Sequence, residues 1–227
     1  MEDRLRLWFA AWDGNAGLVE QYLREKDDIE QLGGHNKDST PLMIACRMGN
    51  YKCIEVLLNH QADPSHKDVQ NFTALHLLLV CAEDVGRTSN VAELVSLMLD
   101  QGADMYSYNE DGDNAMSYAI TNNLCSVVKV LVARHRRRAD VQTRVESLGI
   151  DPLGIVNDVT GDTAMHQALF AFEYGKIDMS MVDMLIDMGA DVDKPNKSRS
   201  TAFMEAARFA AERGKNLDIL MRVLLLL

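Results

Sequence analysis

The segment from Ser39 to Asp63, STPLMIACRMGNYKCIEVLLNHQAD, constrains this chain more than any other, because versions of it return from near the N-terminus to the last residue. It reads as two short antiparallel helices. Thr40 suits an N-cap, its hydroxyl accepting from an amide of the first turn, and Pro41 suits the next position, where a missing amide hydrogen costs nothing. Leu42, Ile44, Ala45 and Met48 give the first helix its apolar stripe, and Gly49 with Asn50 breaks it. Cys53, Ile54, Leu57 and Leu58 then recur at helical spacing along the second. Helices this short are not stable alone in water, so each pair must bury its apolar faces against neighbouring pairs.

Self-comparison supplies those neighbours. Thr40-Pro41-Leu42 returns as Thr73-Ala74-Leu75, Asn114-Ala115-Met116, Thr163-Ala164-Met165 and Thr201-Ala202-Phe203. The end of the pair, Ala62-Asp63, returns as Gly102-Ala103-Asp104 and Gly189-Ala190-Asp191. Thr40 and Thr73 are 33 residues apart, and ten residues separate Asp63 from Thr73, Asp104 from Asn114 and Asp191 from Thr201. The first unit lacks the Thr-Pro start but aligns without a gap at an offset of 35, from Leu7 on Leu42 to Leu23 on Leu58.

A period of about 33 with a T-P-L-H-x-A signature is that of the ankyrin repeat, and the chain resembles ankyrin-repeat proteins over essentially its whole length. His76 and His166 stand at the motif's His position, and Ala45, Ala119, Ala168 and Ala206 at its Ala position. Leu78 departs from the Ala rule, and Met43, Ser117 and Met204 replace the His. The resemblance implies an all-α fold, a solenoid of helical hairpins joined by β-hairpin-like finger loops. The expected organisation is one domain over residues 1–227, with units at about 1–38, 39–71, 72–112 and 113–138, an insertion at 139–160, then units at 161–199 and 200–227.

Three connections between paired helices are longer than the template, near 82–89, 171–176 and 209–215. They read as longer helices or solvated loops, since added loop length costs little, or as a second binding edge. In the insertion, Asp140 suits the cap of a short helix carrying Val141, Val145 and Leu148, with Gly149 ending it. That segment marks where the solenoid bends or divides. The chain stops on Leu226 and Leu227, at positions that are normally wet, so this end meets another segment or protein, or continues in a longer chain.

Composition excludes several classes of function. A net charge of −11, from 34 acidic and 23 basic residues, argues against general binding to nucleic acid or anionic membranes. Cys46, Cys53, Cys81 and Cys125 form no C-x-x-C pair and read as small buried residues of a reducing compartment. The N-terminus is charged and no run of about 18 apolar residues occurs, so a cytoplasmic or nuclear location is expected, with no transmembrane segment. No phosphate loop, H-E-x-x-H pair or G-x-S-x-G elbow is present, and no catalytic residue, metal site or cofactor is assigned. The resemblance implies that His76 and His166 tie neighbouring turns together by hydrogen bonds.

The resemblance also implies partner-protein binding along a concave face made of finger loops and first helices. Carried onto this sequence, the exposed positions give a partner-binding set of Trp12, Arg47, Met48, Val69, Phe72, Val80, Phe170 and Phe209, with an acidic patch of Glu110, Asp111 and Asp113. Apolar anchors among polar residues are typical of binding hot spots. Arg134, Arg136, Arg137 and Arg138 form a basic patch that reads two ways. It is an anion-binding or import run, or a solvated helix end favoured by the helix dipole. The functions expected are therefore a non-catalytic interaction module or scaffold, the targeting or regulatory region of a longer enzyme or membrane protein, or a binder of phosphorylated or nucleic-acid partners through the arginine run.

Overall fold

The computed structural model describes residues 5–34, 38–82, 88–141, 153–154 and 156–213. Among them are eleven helices and no extended strand; the only ladder-type pairings are isolated bridges, Gly33 with Ser39 and Asp113 with Asn157. Contacts gather into two compact units, Met1–Glu110 and Asp111–Leu227.

The first unit holds three helix pairs. They are α1 (Arg6–Trp12) with α2 (Ala16–Arg24), α3 (Pro41–Arg47) with α4 (Tyr51–Asn59), and α5 (Ala74–Cys81) with α6 (Thr88–Asp100). First helices pack α1 on α3 on α5, and second helices pack α2 on α4 on α6. The core lies between these rows: Leu42, Ile54, Leu57, Leu58, Leu75 and Leu78 are all fully buried. The second unit pairs α7 (Ala115–Thr121) with α8 (Cys125–Val141) and α9 (Ala164–Glu173) with α10 (Met179–Asp187), followed by α11 (Ala202–Arg213). Here α9 packs on both α7 and α11.

The repeated signature works as an N-cap in every unit where it occurs. Thr40 Oγ1 accepts from the Met43 amide at 3.2 Å, Thr201 from Met204 at 3.2 Å, and Asn114 Oδ1 from Met116 and Ser117 at 2.9 and 3.2 Å. At Thr73 and Thr163 the histidine completes a reciprocal cap. His76 Nδ1 accepts from the Thr73 amide at 3.1 Å while its Nε2 reaches the Ser107 carbonyl at 2.9 Å; His166 repeats this with Thr163 at 3.3 Å and Ser200 at 2.9 Å. An Nδ1 that accepts a backbone N–H leaves the proton on Nε2, so each ring is the donor that ties its helix to the following finger. Helix C-termini are closed by neighbours as well: Asn50 Nδ2 donates to Ala11 and Trp12 carbonyls, both at 2.8 Å, and Gln101 Nε2 to Leu58 at 2.6 Å.

Two of the longer connections lengthen helices. α9 runs ten residues before Gly175, at φ +69, ends the turn, and α11 runs twelve. The third connection falls partly on residues 83–87, outside the described set; its remainder opens α6, which is 13 residues long against nine for α4. One expectation is corrected. Asp140 does not cap a new helix but lies in the last turn of the 17-residue α8, which carries the arginine run without interruption. The rest of the expected short helix, including Val145, Leu148 and Gly149, lies outside the described residues.

Burial sets the thiol chemistry. Cys46 and Cys53 have no exposed surface, and desolvation of the thiolate raises Cys46 well above its ordinary value and pushes Cys53 up to about 11. Cys81 and Cys125 are half-buried. Ellman titration of the folded protein at pH 8 is expected to modify at most two thiols quickly, and all four in guanidinium. Rapid modification of Cys46 in the native state would contradict this packing.

Candidate functional site

In the Met1–Glu110 unit, two tryptophans one helical turn apart start the site. Trp8 points inward, 3% exposed, with its indole N–H donating to the Ser39 carbonyl at 3.0 Å. Trp12, at i+4, stays 44% exposed with its ring 5.1 Å from that of Trp8. The opposite wall comes from the loop that follows α4. Asp68 is buried there, and its carboxylate accepts from the amides of Gln70 at 3.0 Å and Phe72 at 2.8 Å, folding the loop tip around it. Its second oxygen takes Arg47 at 3.3 Å. A buried carboxylate with three donors is satisfied, and the geometry fixes both the loop and the arginine. Asp38 ties the two fingers together: its carboxylate accepts from the Val69 amide at 3.1 Å, and its carbonyl lies 3.0 Å from His66 Nε2.

These parts enclose a groove of ≈ 280 Å³. Its floor includes Trp8, Ile44 and Ser39, and its rim Trp12, Met48, Val69 and Arg47. Met48 is 45% and Val69 60% exposed. Four residues of the expected partner-binding set, Trp12, Arg47, Met48 and Val69, therefore line one concavity.

The others fall elsewhere. Phe72 is half-buried, its ring edge-on to His76 at 6.0 Å, so it supports the loop as well as facing outward. Val80 is 37% exposed on α5, at the position equivalent to Arg47 on α3. Glu110 is exposed and its amide donates to Gln70 at 3.0 Å. In the second unit, Asp111 is exposed, while Asp113 is drawn into the finger by Ser117 Oγ and Asn157 Nδ2, both at 2.7 Å. Phe170 is 49% exposed and packs at 4.7 Å on Tyr174, itself 51% exposed. The side chains of Phe209 and Arg138 lie outside the described set. Arg134 is half-buried, Arg137 is exposed, and Arg136 donates to the Met188 carbonyl at 3.1 Å, at the C-cap of α10. That placement puts a cation on the negative end of a helix.

Two residues were not singled out from sequence. Tyr174 follows Phe170 by one turn, and the surplus length there hid that spacing. Trp8 aligns at the offset of 35 with Met43, the motif's His position. Its indole N–H makes the bond that His166 makes, to the residue just before the next unit's N-cap threonine. The alignment held that signal, since indole is another ring with an N–H donor.

Among the described residues, no group of three or more His, Cys, Asp or Glu could hold a metal ion, and no helix is long and apolar enough to cross a membrane.

Comparison with known proteins gives a consistent picture. The family model for ankyrin repeats in three copies matches residues 7–85, and that for the single ankyrin repeat matches 160–197. Human palmitoyltransferase ZDHHC13 is 38% identical over 71 residues, 31% of this chain and 11% of that protein. The putative ankyrin repeat protein FPV031 of fowlpox virus is 31% identical over 159 residues, 67% of this chain and 43% of that one. The chain thus spans about a tenth of the palmitoyltransferases it matches. Among solved structures, the ankyrin repeat domain of Bcl-3 superposes with a TM-score of 0.65 at 22% identity, covering 92% of this chain and 80% of that one. An ankyrin repeat domain from Acinetobacter baumannii gives 0.67 at 23%, covering 92% of both. At these identities the likeness is one of fold.

Proposed function

Because the chain belongs to the ankyrin-repeat family, whose members are generally protein-interaction modules, we propose that it binds a partner protein and carries no chemistry of its own, with the finger and first-helix face of the Met1–Glu110 unit as the working surface. The observation that carries this reading is the groove. Three apolar side chains, Trp12, Met48 and Val69, stand exposed around one concavity, and the loop that carries Val69 is folded around a saturated buried carboxylate, Asp68. Exposed apolar surface in a soluble chain is costly unless something covers it, and an aromatic anchor beside a fixed arginine is the usual make-up of a hot spot.

Affinity capture from native lysate tests this. Wild-type bait is compared with the triple variant Trp12→Ala, Met48→Ala, Val69→Ser after circular dichroism shows equal folding. Specific proteins held by the wild type are expected to fall at least about tenfold with the variant, as loss of two or more hot-spot side chains implies. Retention of the same proteins would overturn the assignment of this face.

A second reading has its own support. The matches to palmitoyltransferases, each covering little of the larger protein, favour an ankyrin region that serves to recruit or regulate a longer enzyme. Immunoblotting of the native product distinguishes the two: a polypeptide much longer than 227 residues supports the second reading. The arginine run is the weaker candidate for a site, because Arg136 already serves the end of α10.

A further inference from the structure

We propose that the Trp12 groove seats the side chain of an arginine carried by an extended, otherwise apolar segment of the partner. This rests on the reading of the same face as the partner site and names what it takes.

The first observation is an orphaned hydroxyl. Ser39 lines the groove and is only 7% exposed, yet its Oγ has no hydrogen-bond partner among the described residues. A buried hydroxyl left unpaired is costly, and such a group at a binding surface points to a polar atom that arrives with the ligand. Its carbonyl is not available for that purpose, being held by the Trp8 indole and the Gly33 amide.

The second observation is the charge of the lining. Asp38 is partly exposed, and the hydrogen bond made by its carboxylate among the described residues is the one from the Val69 amide to Oδ2. Asp68 and Arg47 neutralise each other, so Asp38 leaves the groove negative. The chain as a whole carries −11, which steers a basic segment toward it and an acidic one away.

The third is shape. A volume of ≈ 280 Å³ lies just below the roughly 300–1,000 Å³ of small-molecule pockets and suits one long side chain. The exposed indole of Trp12 offers a flat face for a guanidinium, and Met48 offers a flexible apolar surface for its methylene stem. The planar fork then donates to the Asp38 carboxylate, and to the Ser39 hydroxyl once that side chain rotates its enclosed oxygen into the groove. Lysine, a compact and strongly hydrated point charge, stacks less well there.

The test uses the full chain labelled with ¹⁵N and the acetylated, amidated pentapeptide Ala-Leu-Arg-Leu-Ala. Counterparts carry citrulline, norleucine or glutamate at the centre. Saturable shifts of the Trp12 indole and Ser39 amide signals are expected with the arginine peptide, at least about tenfold tighter than with citrulline, which keeps the shape but loses the charge. Asp38→Asn, which keeps an oxygen for the Val69 amide, and Ser39→Ala, which removes a hydroxyl that has no partner among the described residues, should each weaken binding about tenfold while leaving the fold intact. Equal binding of citrulline or norleucine overturns the proposal, as does an absence of Trp12 shifts at millimolar peptide. So does full affinity in Ser39→Ala, which would mean that the hydroxyl takes no part in binding. The broader reading fails separately. If captured proteins survive Asp38→Asn and Ser39→Ala but are lost with the triple variant, the face stands and the arginine seat falls; if they survive the triple variant, the face itself falls.

Discussion

Trp8→Ala lowers the unfolding free energy of the Met1–Glu110 unit by about 3–5 kcal/mol, the usual cost of removing a fully buried tryptophan. The ring is 3% exposed and lies directly against Gly33, where an added Cβ would sit 2.6 Å from it. With only hydrogen on that side, the wall of the cavity has little to collapse with. The substitution also removes the indole bond to Ser39, leaving that carbonyl with the Gly33 amide alone. Trp8→Phe, which keeps most of the ring, should cost about 1–2 kcal/mol. Both tryptophans of the chain lie in α1, so the emission of Trp12 during urea unfolding follows this unit in the variant. Trp12→Ala, by contrast, should change stability by less than about 1 kcal/mol. A loss under about 1 kcal/mol for Trp8→Ala would mean that this side chain does not join the first helix pair to the second.

His76→Ala should cost the same unit about 2–5 kcal/mol. The ring is 1% exposed, and its removal strands the Thr73 amide and the Ser107 carbonyl in addition to opening a void. Each buried group left without a partner costs about 1–3 kcal/mol. His76→Met separates the two contributions. Met43 holds the equivalent position on α3 at 1% exposure, so a methionine side chain can be accommodated at such a site. The methionine variant should therefore lose the hydrogen bonds but little packing, about 2–4 kcal/mol, toward the low end for two stranded groups. If alanine and methionine cost the same, volume contributes nothing here and the hydrogen bonds carry the whole effect. A loss below about 0.5 kcal/mol in both would contradict the role of the ring as a tie between a helix and the next finger.

These two residues mark how far the sequence could be read. His76 stands in an intact Thr-x-x-His signature, and its reciprocal cap and its bond to the next finger follow from the motif. Trp8 makes an equivalent tie from a unit that lacks the threonine, so only alignment against its neighbour reveals it. The surface placement of Trp12, Arg47, Met48 and Val69 was also legible, because the period fixes which way each points. Their convergence on one groove was not, since it depends on how Asp68 folds its loop around two amides. Phe72, expected at the surface, is half-buried and lies edge-on to His76, an aromatic contact the spacing does not predict. The fate of Asp140 has another cause. Arginine and alanine are strong helix formers, and no glycine or proline follows before Gly149, so α8 runs on where the repeat pattern ends.

On the proposed arginine seat, the orphaned Ser39 hydroxyl sets stability against binding. With no partner among the described residues to lose, Ser39→Ala should raise the midpoint of thermal unfolding by about 2–4 °C while weakening peptide binding, as removal of a buried unpaired polar group predicts. Surface substitutions elsewhere would not move the two quantities in opposite directions.

Photo-crosslinking tests the working surface most directly. A benzoylphenylalanine is placed at Met48 on the groove rim or, as a control, at Lys52 on α4, which is exposed but lines a different concavity, with Glu55 and Asn90. Irradiation in native lysate should trap the same partner from position 48 that affinity capture identifies, and nothing comparable from position 52. Trapping from position 52 alone would place the partner on the second helices and contradict the account.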